Sequence, residues 1–344
     1  MLVEPISQLL MRRGTDMQGG SVLLYNPPAD NLADELARAL HCKCSLFTQD
    51  YLNYEWLNRN LVFNIQKEFG TGPGKNFGLF QHIVVFQPRE KLFLREILAQ
   101  LDGLLQAGAM VWLIGQNRGG IKSCAAIMKQ QYGNVKKRGS GRHCQLFSSH
   151  FLEHQPTYPE IEEREIDVTF NGREYTFLSR PGVFSFDELD PGTRVLLDCL
   201  EDQPIEGKIL DFGCGCGVIG LCLAGDSNKN EVDLIDINAQ ALEVATRNAG
   251  DFENARVIPS AAFSGVSERY DVIVSNPPFH HGVKATTETS RNLVYNAPQF
   301  LVPGGELRIV ANLHLPYANW MKEVFSRVTI LRGTKYYRVL QGIY

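Results

Sequence analysis

Two tandem α/β domains, each a doubly wound sheet with helices on both faces, are the fold class this sequence predicts. Three observations carry it. At 344 residues the chain is about twice an ordinary domain of roughly 100–200 residues. In its second half short apolar runs alternate with helical stretches, the signature of βαβ units in a parallel sheet. The first half repeats the same plan. With 44% hydrophobic and 21% charged residues, the composition excludes wholesale disorder, a collagen and a coiled-coil rod.

Taken in order, the first domain (residues 1–160) opens its sheet with Ser21-Val-Leu-Leu-Tyr25, followed by Cys44-Ser-Leu-Phe47. Phe80-Gln-His-Ile-Val-Val-Phe86 can be laid on Tyr270–Asn276 without a gap, and Ala107–Gly115 on Pro303–Ala311. After the first strand stands Asn26-Pro-Pro-Ala-Asp30, a proline turn with no glycine loop and no aromatic. A degenerate copy of the second domain is expected. Gly70-Thr-Gly-Pro-Gly74-Lys75-Asn76 lacks the spacing and the Ser or Thr of a phosphate loop and reads as surface.

Residues 151–165, acidic and carrying two prolines, read as a linker. Ile166–Phe170 and Arg173–Phe177 are alternating β-formers around Asn171-Gly172, a hairpin with a type I′ turn. The second domain (166–344) then offers strands at Lys208–Asp211, Glu231–Ile235, Ala255–Pro259, Asp271–Ser275 and Glu306–Ala311. Helices are expected from Gly217, over Asn238–Asn248 and around 289–300.

Lys and Arg number 34 against 38 Asp and Glu, a net charge of -4. A protein that coats nucleic acid indiscriminately is usually basic, so any contact with RNA must be local. Lys136-Lys137-Arg138-Gly-Ser-Gly-Arg142 is the densest basic patch, and Lys284 and Lys335 are further candidates for RNA contact. The order of charged and apolar residues near the N-terminus is opposite to that of a secretory signal, and the longest apolar run, 212–225, is too short to span a bilayer. The eight cysteines form no Cys-x-x-Cys pair and the histidines no ligand spacing. Free thiols in a reducing cytoplasm, without metal, are therefore expected, and the partner expected is RNA, with the protein itself a monomer.

Asp211-Phe-Gly213-Cys-Gly215-Cys-Gly217-Val-Ile-Gly220 ends a strand and opens a helix. Such a loop lets backbone approach a nucleotide-like ligand, with free N–H groups at the helix start. Gly215-x-Gly217-x-x-Gly220 satisfies the dinucleotide fingerprint, and Asp236, 21 residues on, can accept from ribose hydroxyls. The glycines alone do not separate a dehydrogenase from a methyltransferase. Asp211 favours the latter, because a carboxylate ahead of the loop opposes a pyrophosphate and welcomes a cationic amino-acid portion.

Ser275-Asn276-Pro277-Pro278-Phe279 follows the fourth strand at the sheet's carboxyl edge. It suits the holding of a planar amine. Asn276 accepts an N–H through its side-chain carbonyl, the prolines stiffen the backbone, and Phe279 gives a stacking face. Catalysis would then be positioning plus hydrogen bonding, with no metal and no covalent enzyme intermediate.

These motifs resemble class I S-adenosylmethionine-dependent amine methyltransferases, and more closely the bacterial ribosomal RNA guanine-N2 methyltransferases. Asn276-Pro-Pro-Phe-His280-x-Gly282, Gly304–Asn312, and Pro181-Gly-Val-Phe-Ser185 followed by Leu189-Asp190-x-Gly192 carry the likeness, which extends over essentially the whole chain. Within the family the small-subunit (16S) branch is nearest and the large-subunit (23S) branch second. The resemblance implies two Rossmann-like methyltransferase domains, the first degenerate, with S-adenosyl-L-methionine as cofactor and rRNA of the small subunit as partner. It implies that Asp211, Gly213 and Gly215 cradle the cofactor's methionine end, with Gly217 also at the cofactor site. Asp236 would meet the ribose, with Ile237 also at the cofactor; Ser260 or Ala261 would lie beside the adenine, and Phe184 and Ser185 would cover the cofactor. Asn276, Pro277 and Phe279 would hold the guanine. A protein glutamine offers the same amine, but enzymes acting on it usually carry Tyr where Phe279 stands. A non-enzymatic RNA-binding chaperone with a vestigial site is the reading that failure to bind the cofactor would favour.

Overall fold

The computed structural model describes residues 3–74, 77–88, 91–151, 163–277 and 284–344. The chain divides into two compact units, Met1–Ile161 and Glu162–Tyr344. The first contains strands β1 (Ser21–Tyr25), β2 (Lys43–Thr48), β3 (Gln66–Phe69), β4 (Phe80–Phe86), β5 (Leu105–Gln116), β6 (Lys136–Gly141) and β7 (Cys144–His150). Its helices are α1 (Pro5–Arg13), α2 (Leu32–Leu40), α3 (Tyr51–Asn60), α4 (Lys91–Leu101) and α5 (Ile121–Tyr132).

The second unit begins with the hairpin β8 (Arg164–Phe170) and β9 (Arg173–Ser179). Its main sheet is built from β10 (Lys208–Phe212), β11 (Glu231–Asp236), β12 (Ala255–Pro259), β13 (Tyr270–Ser275), β14 (Leu301–Asn312), β15 (Arg327–Gly333) and β16 (Tyr337–Ile343). The helices are α6 (Pro191–Asp202), α7 (Val218–Asp226), α8 (Ala239–Asn248), α9 (Lys284–Asn296) and α10 (Tyr317–Val324).

The two sheets share one strand order, β3-β2-β1-β4-β5-β7-β6 and β12-β11-β10-β13-β14-β16-β15. In each, the penultimate strand in space runs antiparallel to its neighbours. The expected all-parallel sheet is therefore corrected to a mixed one. Two of the strands not anticipated have weak alternation: β15 has no fully buried position and β6 is mostly polar. Parallel strands in the middle are covered on both faces, as their continuous apolar runs require. In β13, Val272 and Val274 face one cluster while Tyr270 and Ile273 face the other.

The hairpin forms as its sequence dictates, with Asn171 and Gly172 both at positive φ, 46° and 71°. Ile166, Val168, Phe170 and Phe177 are buried in one core cluster, and β8 lies on α6 while β9 lies on α8. Helix α6 starts where Asp190 caps it, accepting from the Thr193 N–H at 2.8 Å, with Pro191 at the first helical position. Asn238 caps α8 in the same manner, accepting from Gln240 N–H at 3.0 Å. Helix α7 is buried from Val218 to Ala224, which explains why its sequence shows no polar face.

Duplication extends to details beyond strand order. Asn26 follows β1 as Gly213 follows β10: both have positive φ, and both donate N–H to the neighbouring strand, to Phe47 O and Ile235 O respectively. In the first unit the Asn26 side chain then exchanges two hydrogen bonds with Gln49, at 2.7 and 2.9 Å. A side-chain pair thus stands at the level of the second unit's glycine loop. The register also puts buried Phe86 where Asn276 stands, so this copy lacks the amine acceptor as well as the loop.

Candidate active site

Four segments meet at the carboxyl edge of the second sheet. Ser275 donates its hydroxyl to Phe212 O at 2.7 Å, which draws the end of β13 against the end of β10. Asn276 and Gly213, the next residues on each strand, are thereby brought side by side.

The glycine loop takes the shape the motif predicts. Gly213 and Gly215 have φ of 73° and 57°, a region that costs other residues free energy. A Cβ built on either would meet no atom within 4 Å, so the loop lies open where a cofactor would rest. Gly217 caps α7. At Gly220 a side chain would press on Leu234 and on the Asp211 carboxylate at 2.9–3.0 Å, so glycine lets helix and strand pack closely.

Asp211 lies beneath the loop rather than on it. It has no exposed surface; Oδ2 accepts from the Gly220 N–H at 2.9 Å, and Oδ1 has no hydrogen-bond partner. Asp211, expected at the methionine end of the cofactor, is a buried carboxyl that holds the first turn of α7 from beneath the loop. Burial pushes its carboxyl up to about 7, against the pull of the Gly220 N–H, and the charge of Asp236 adds to the rise.

A raised acid pKa means the folded state holds the proton more tightly than the unfolded one. Stability from this group is therefore complete below about pH 4 and is lost as pH rises through about 7, at about 1.4 kcal/mol for each pH unit between the two. Asp211→Asn keeps an acceptor for Gly220 and removes this loss. Urea unfolding between about pH 5 and pH 8 should show a flatter stability profile in the variant; parallel profiles would assign the pH dependence elsewhere.

Asp236 is half-buried at the end of β11. Its Oδ2 accepts from Gly215 N–H at 3.0 Å and its Oδ1 from Asn238 N–H at 2.9 Å, turning the chain around half-buried Ile237. One carboxylate thus fixes both the glycine loop and the turn into α8. Asn238 reaches further, donating to Gly182 O at 2.6 Å. That bond ties the 181–190 segment to the cofactor edge, with Phe184 47% exposed and Ser185 at positive φ, 59°.

Ser260 departs from expectation. It is 1% exposed, donates to Ala262 O at 2.7 Å and accepts from Gly265 N–H at 2.9 Å. Its hydroxyl shapes the turn, and half-buried Ala261 is the residue of the pair with surface to offer. Cys214 and Cys216 are buried free thiols. Burial pushes Cys216 up to about 11 and raises Cys214 well above the usual thiol range, so neither is a thiolate nucleophile.

At the amine-acceptor position, Asn276 Nδ2 donates to Asp190 Oδ2 at 2.7 Å and to Thr193 Oγ1 at 2.8 Å. Its Oδ1 is buried with no hydrogen-bond partner, a cost tolerated where a ligand completes the bond. Pro277 is buried beside it. Phe279 and the rest of 278–283 lie outside the described residues, as does the side chain of Lys284. Sequence reasoning gave Asp190 no task and passed over Thr193; the cap motif Asp-Pro-Gly-Thr was the available signal.

The basic candidates separate. Lys136, Lys137, Arg142 and Lys335 are exposed. Arg138 is instead committed within its domain, donating to Ser148 at 2.7 Å, facing Asp16 at 3.5 Å and lying over Trp112. Lys335 lies over exposed Tyr336, in the turn between β15 and β16. No group of metal ligands occurs among the described residues, and no helix among them is long and apolar enough to cross a membrane.

This strand order, a glycine loop after the first strand and an uncommitted amide at the end of the fourth define a Rossmann-like methyltransferase. Residues 174–341 match the family described as Methyltransferase small domain, and residues 7–163 its N-terminal counterpart. Ribosomal RNA small subunit methyltransferase C of Proteus mirabilis is 33% identical over 99% of this chain and 98% of its own. The protein of that name from Salmonella typhi is 33% identical over 98% and 96%. In fold, the chain is similar to a T. thermophilus 16S rRNA N2 G1207 methyltransferase solved with AdoMet and guanosine, with a TM-score of 0.84 and 22% identity over 99% and 92% of the two chains. The chain belongs to the ribosomal RNA small subunit methyltransferase C family.

Proposed function

We propose that the protein transfers a methyl group from S-adenosyl-L-methionine to the exocyclic N2 amine of a guanosine in 16S ribosomal RNA, acting as a monomer in the cytoplasm on RNA of the small subunit. One observation carries this reading: a buried amide oxygen, Asn276 Oδ1, stands unpartnered beside an open glycine loop while the amide nitrogen is fully engaged.

Gly213, Gly215 and Gly217 supply the floor of the cofactor site, Asp236 and Ile237 its ribose side, Ala261 the adenine side, and Phe184 and Ser185 the cover. Ser260 holds the turn behind Ala261. Asp211, whose carboxyl burial pushes up to about 7, would be drawn into its charged form by a cationic methionine end and would oppose a phosphate. The bound cofactor supplies an electrophilic methyl on a sulfonium. Asn276 accepts one N–H of the guanine amine, which loosens the nitrogen lone pair from the ring and aims it for in-line attack; Pro277 keeps the backbone beside it fixed, and Phe279 offers the base a face. With the cofactor bound, an N–C bond would form as its C–S bond breaks, the electron pair staying on sulfur and the amine shedding one proton to solvent. Exposed Lys136, Lys137, Arg142 and Lys335, with Lys284, would meet RNA phosphates, whereas Arg138 supports the β6–β7 hairpin.

Incubation of isolated small subunits with methyl-labelled cofactor should yield N2-methylguanosine in 16S RNA. Label in 23S RNA or on a protein glutamine instead would reassign the substrate. Asp236→Ala should weaken cofactor binding by about 1–3 kcal/mol, through lost charged hydrogen bonds and a loosened Gly215; calorimetric titration with wild-type affinity would refute its place at the ribose.

A further inference from the structure

We infer that Asp190 and Thr193 are positioning residues that lock the Asn276 amide in one of its two orientations and polarise it toward the target amine. The inference rests on the proposed role of Asn276 and goes beyond it.

The two ends of an asparagine amide are nearly equal in size, so hydrogen-bond partners decide which end faces where. Only the NH2 end suits a carboxylate, which accepts and cannot donate when ionised. Asp190 Oδ2 lies 2.7 Å from Nδ2 and Thr193 Oγ1 lies 2.8 Å from it. A flipped amide would set Oδ1 against the carboxylate oxygen and forfeit the bond to Asp190; the Thr193 hydroxyl, which donates as well as accepts, would have to turn its proton round to keep its own. Thr193 is only 7% exposed, so little water is available to repair that loss, and such losses are larger away from water.

The lock is itself held. The same Asp190 oxygen accepts the Thr193 N–H as the cap of α6, so the carboxylate cannot swing away without uncapping the helix. Gly192 leaves room for this arrangement: a side chain there would stand 2.9 Å from Asp190 Oδ2 and 3.2 Å from the Tyr337 ring. A negative charge behind the amide also strengthens Oδ1 as an acceptor. The target nitrogen gains positive charge as its bond to carbon forms, so the effect is greatest in the transition state.

The test compares kcat, KM for small subunits and cofactor affinity in Asp190→Ala, Asp190→Asn, Thr193→Val and Thr193→Ser. Asp190→Ala should lower kcat about 100-fold, and Asp190→Asn, which keeps a helix cap without the charge, about tenfold. Thr193→Val preserves shape and the backbone cap, and should cost kcat about three- to tenfold, with Thr193→Ser restoring it to within about twofold. Cofactor affinity and KM should stay within about twofold of wild type throughout. Should Asp190→Ala fold poorly, Thr193→Val and Thr193→Ser decide. Unchanged kcat in Thr193→Val, failure of serine to restore it, or parallel loss of affinity and kcat would overturn the inference while leaving the proposed function standing. Absence of N2-methylguanosine from the wild-type reaction would overturn the proposed function, and this inference with it.

Discussion

Asn276→Ala should reduce kcat for guanine methylation by about 100- to 1,000-fold while changing cofactor affinity by less than about twofold. The split follows from where the residue's bonds go. Its nitrogen is spent on Asp190 and Thr193, its oxygen waits for a donor, and neither is hydrogen-bonded to the glycine loop. Truncation removes the acceptor that aims the amine and leaves Gly213, Gly215 and Asp236 in place. Single-turnover rates and calorimetry on one preparation measure both quantities. Equal loss of rate and affinity would mean that Asn276 supports the cofactor site instead.

Gly215→Val should show the opposite pattern, with cofactor affinity falling about 100-fold or more. A β-branched residue at φ 57° meets a backbone cost of about 1–3 kcal/mol. Its side chain would enter space in which an added Cβ now meets nothing, the space assigned to the cofactor. The N–H that Gly215 donates to Asp236 would shift with it, loosening the ribose side. Thermal melting with and without S-adenosylmethionine separates the effects: the variant should melt somewhat lower and gain little from ligand. A wild-type gain would empty the loop of its proposed task.

What the sequence made legible was local. The glycine loop, the Asn-Gly hairpin and the Asn-Pro-Pro segment each declare a backbone shape through a few adjacent residues, and Asn171, Gly172, Gly213 and Gly215 all adopt the positive φ their types allow. Long-range pairings stayed hidden. Asp190 and Asn276 are 86 positions apart, and no periodicity links a helix cap to a strand end. Arg138 looked like part of a free basic patch because neither its bond to Ser148 nor its place over Trp112 can be read from neighbours in the chain. Ser260 and Asp211 illustrate a further limit. The sequence places a polar group at or just past a strand end, and only packing shows that each spends an oxygen on nearby backbone. The degeneracy of the first domain was half visible: the missing glycines were plain, whereas the Asn26–Gln49 pair and Phe86 at the Asn276 position required the sheet register.

The orientation of one amide is open to direct observation in a crystal of the protein with S-adenosylhomocysteine and guanosine. Asn276 Oδ1 should lie about 3 Å from the guanine N2, with Nδ2 still on Asp190 and Thr193. An Asn276 amide whose nitrogen faces the base, or a guanine amine bound away from residue 276, would contradict it.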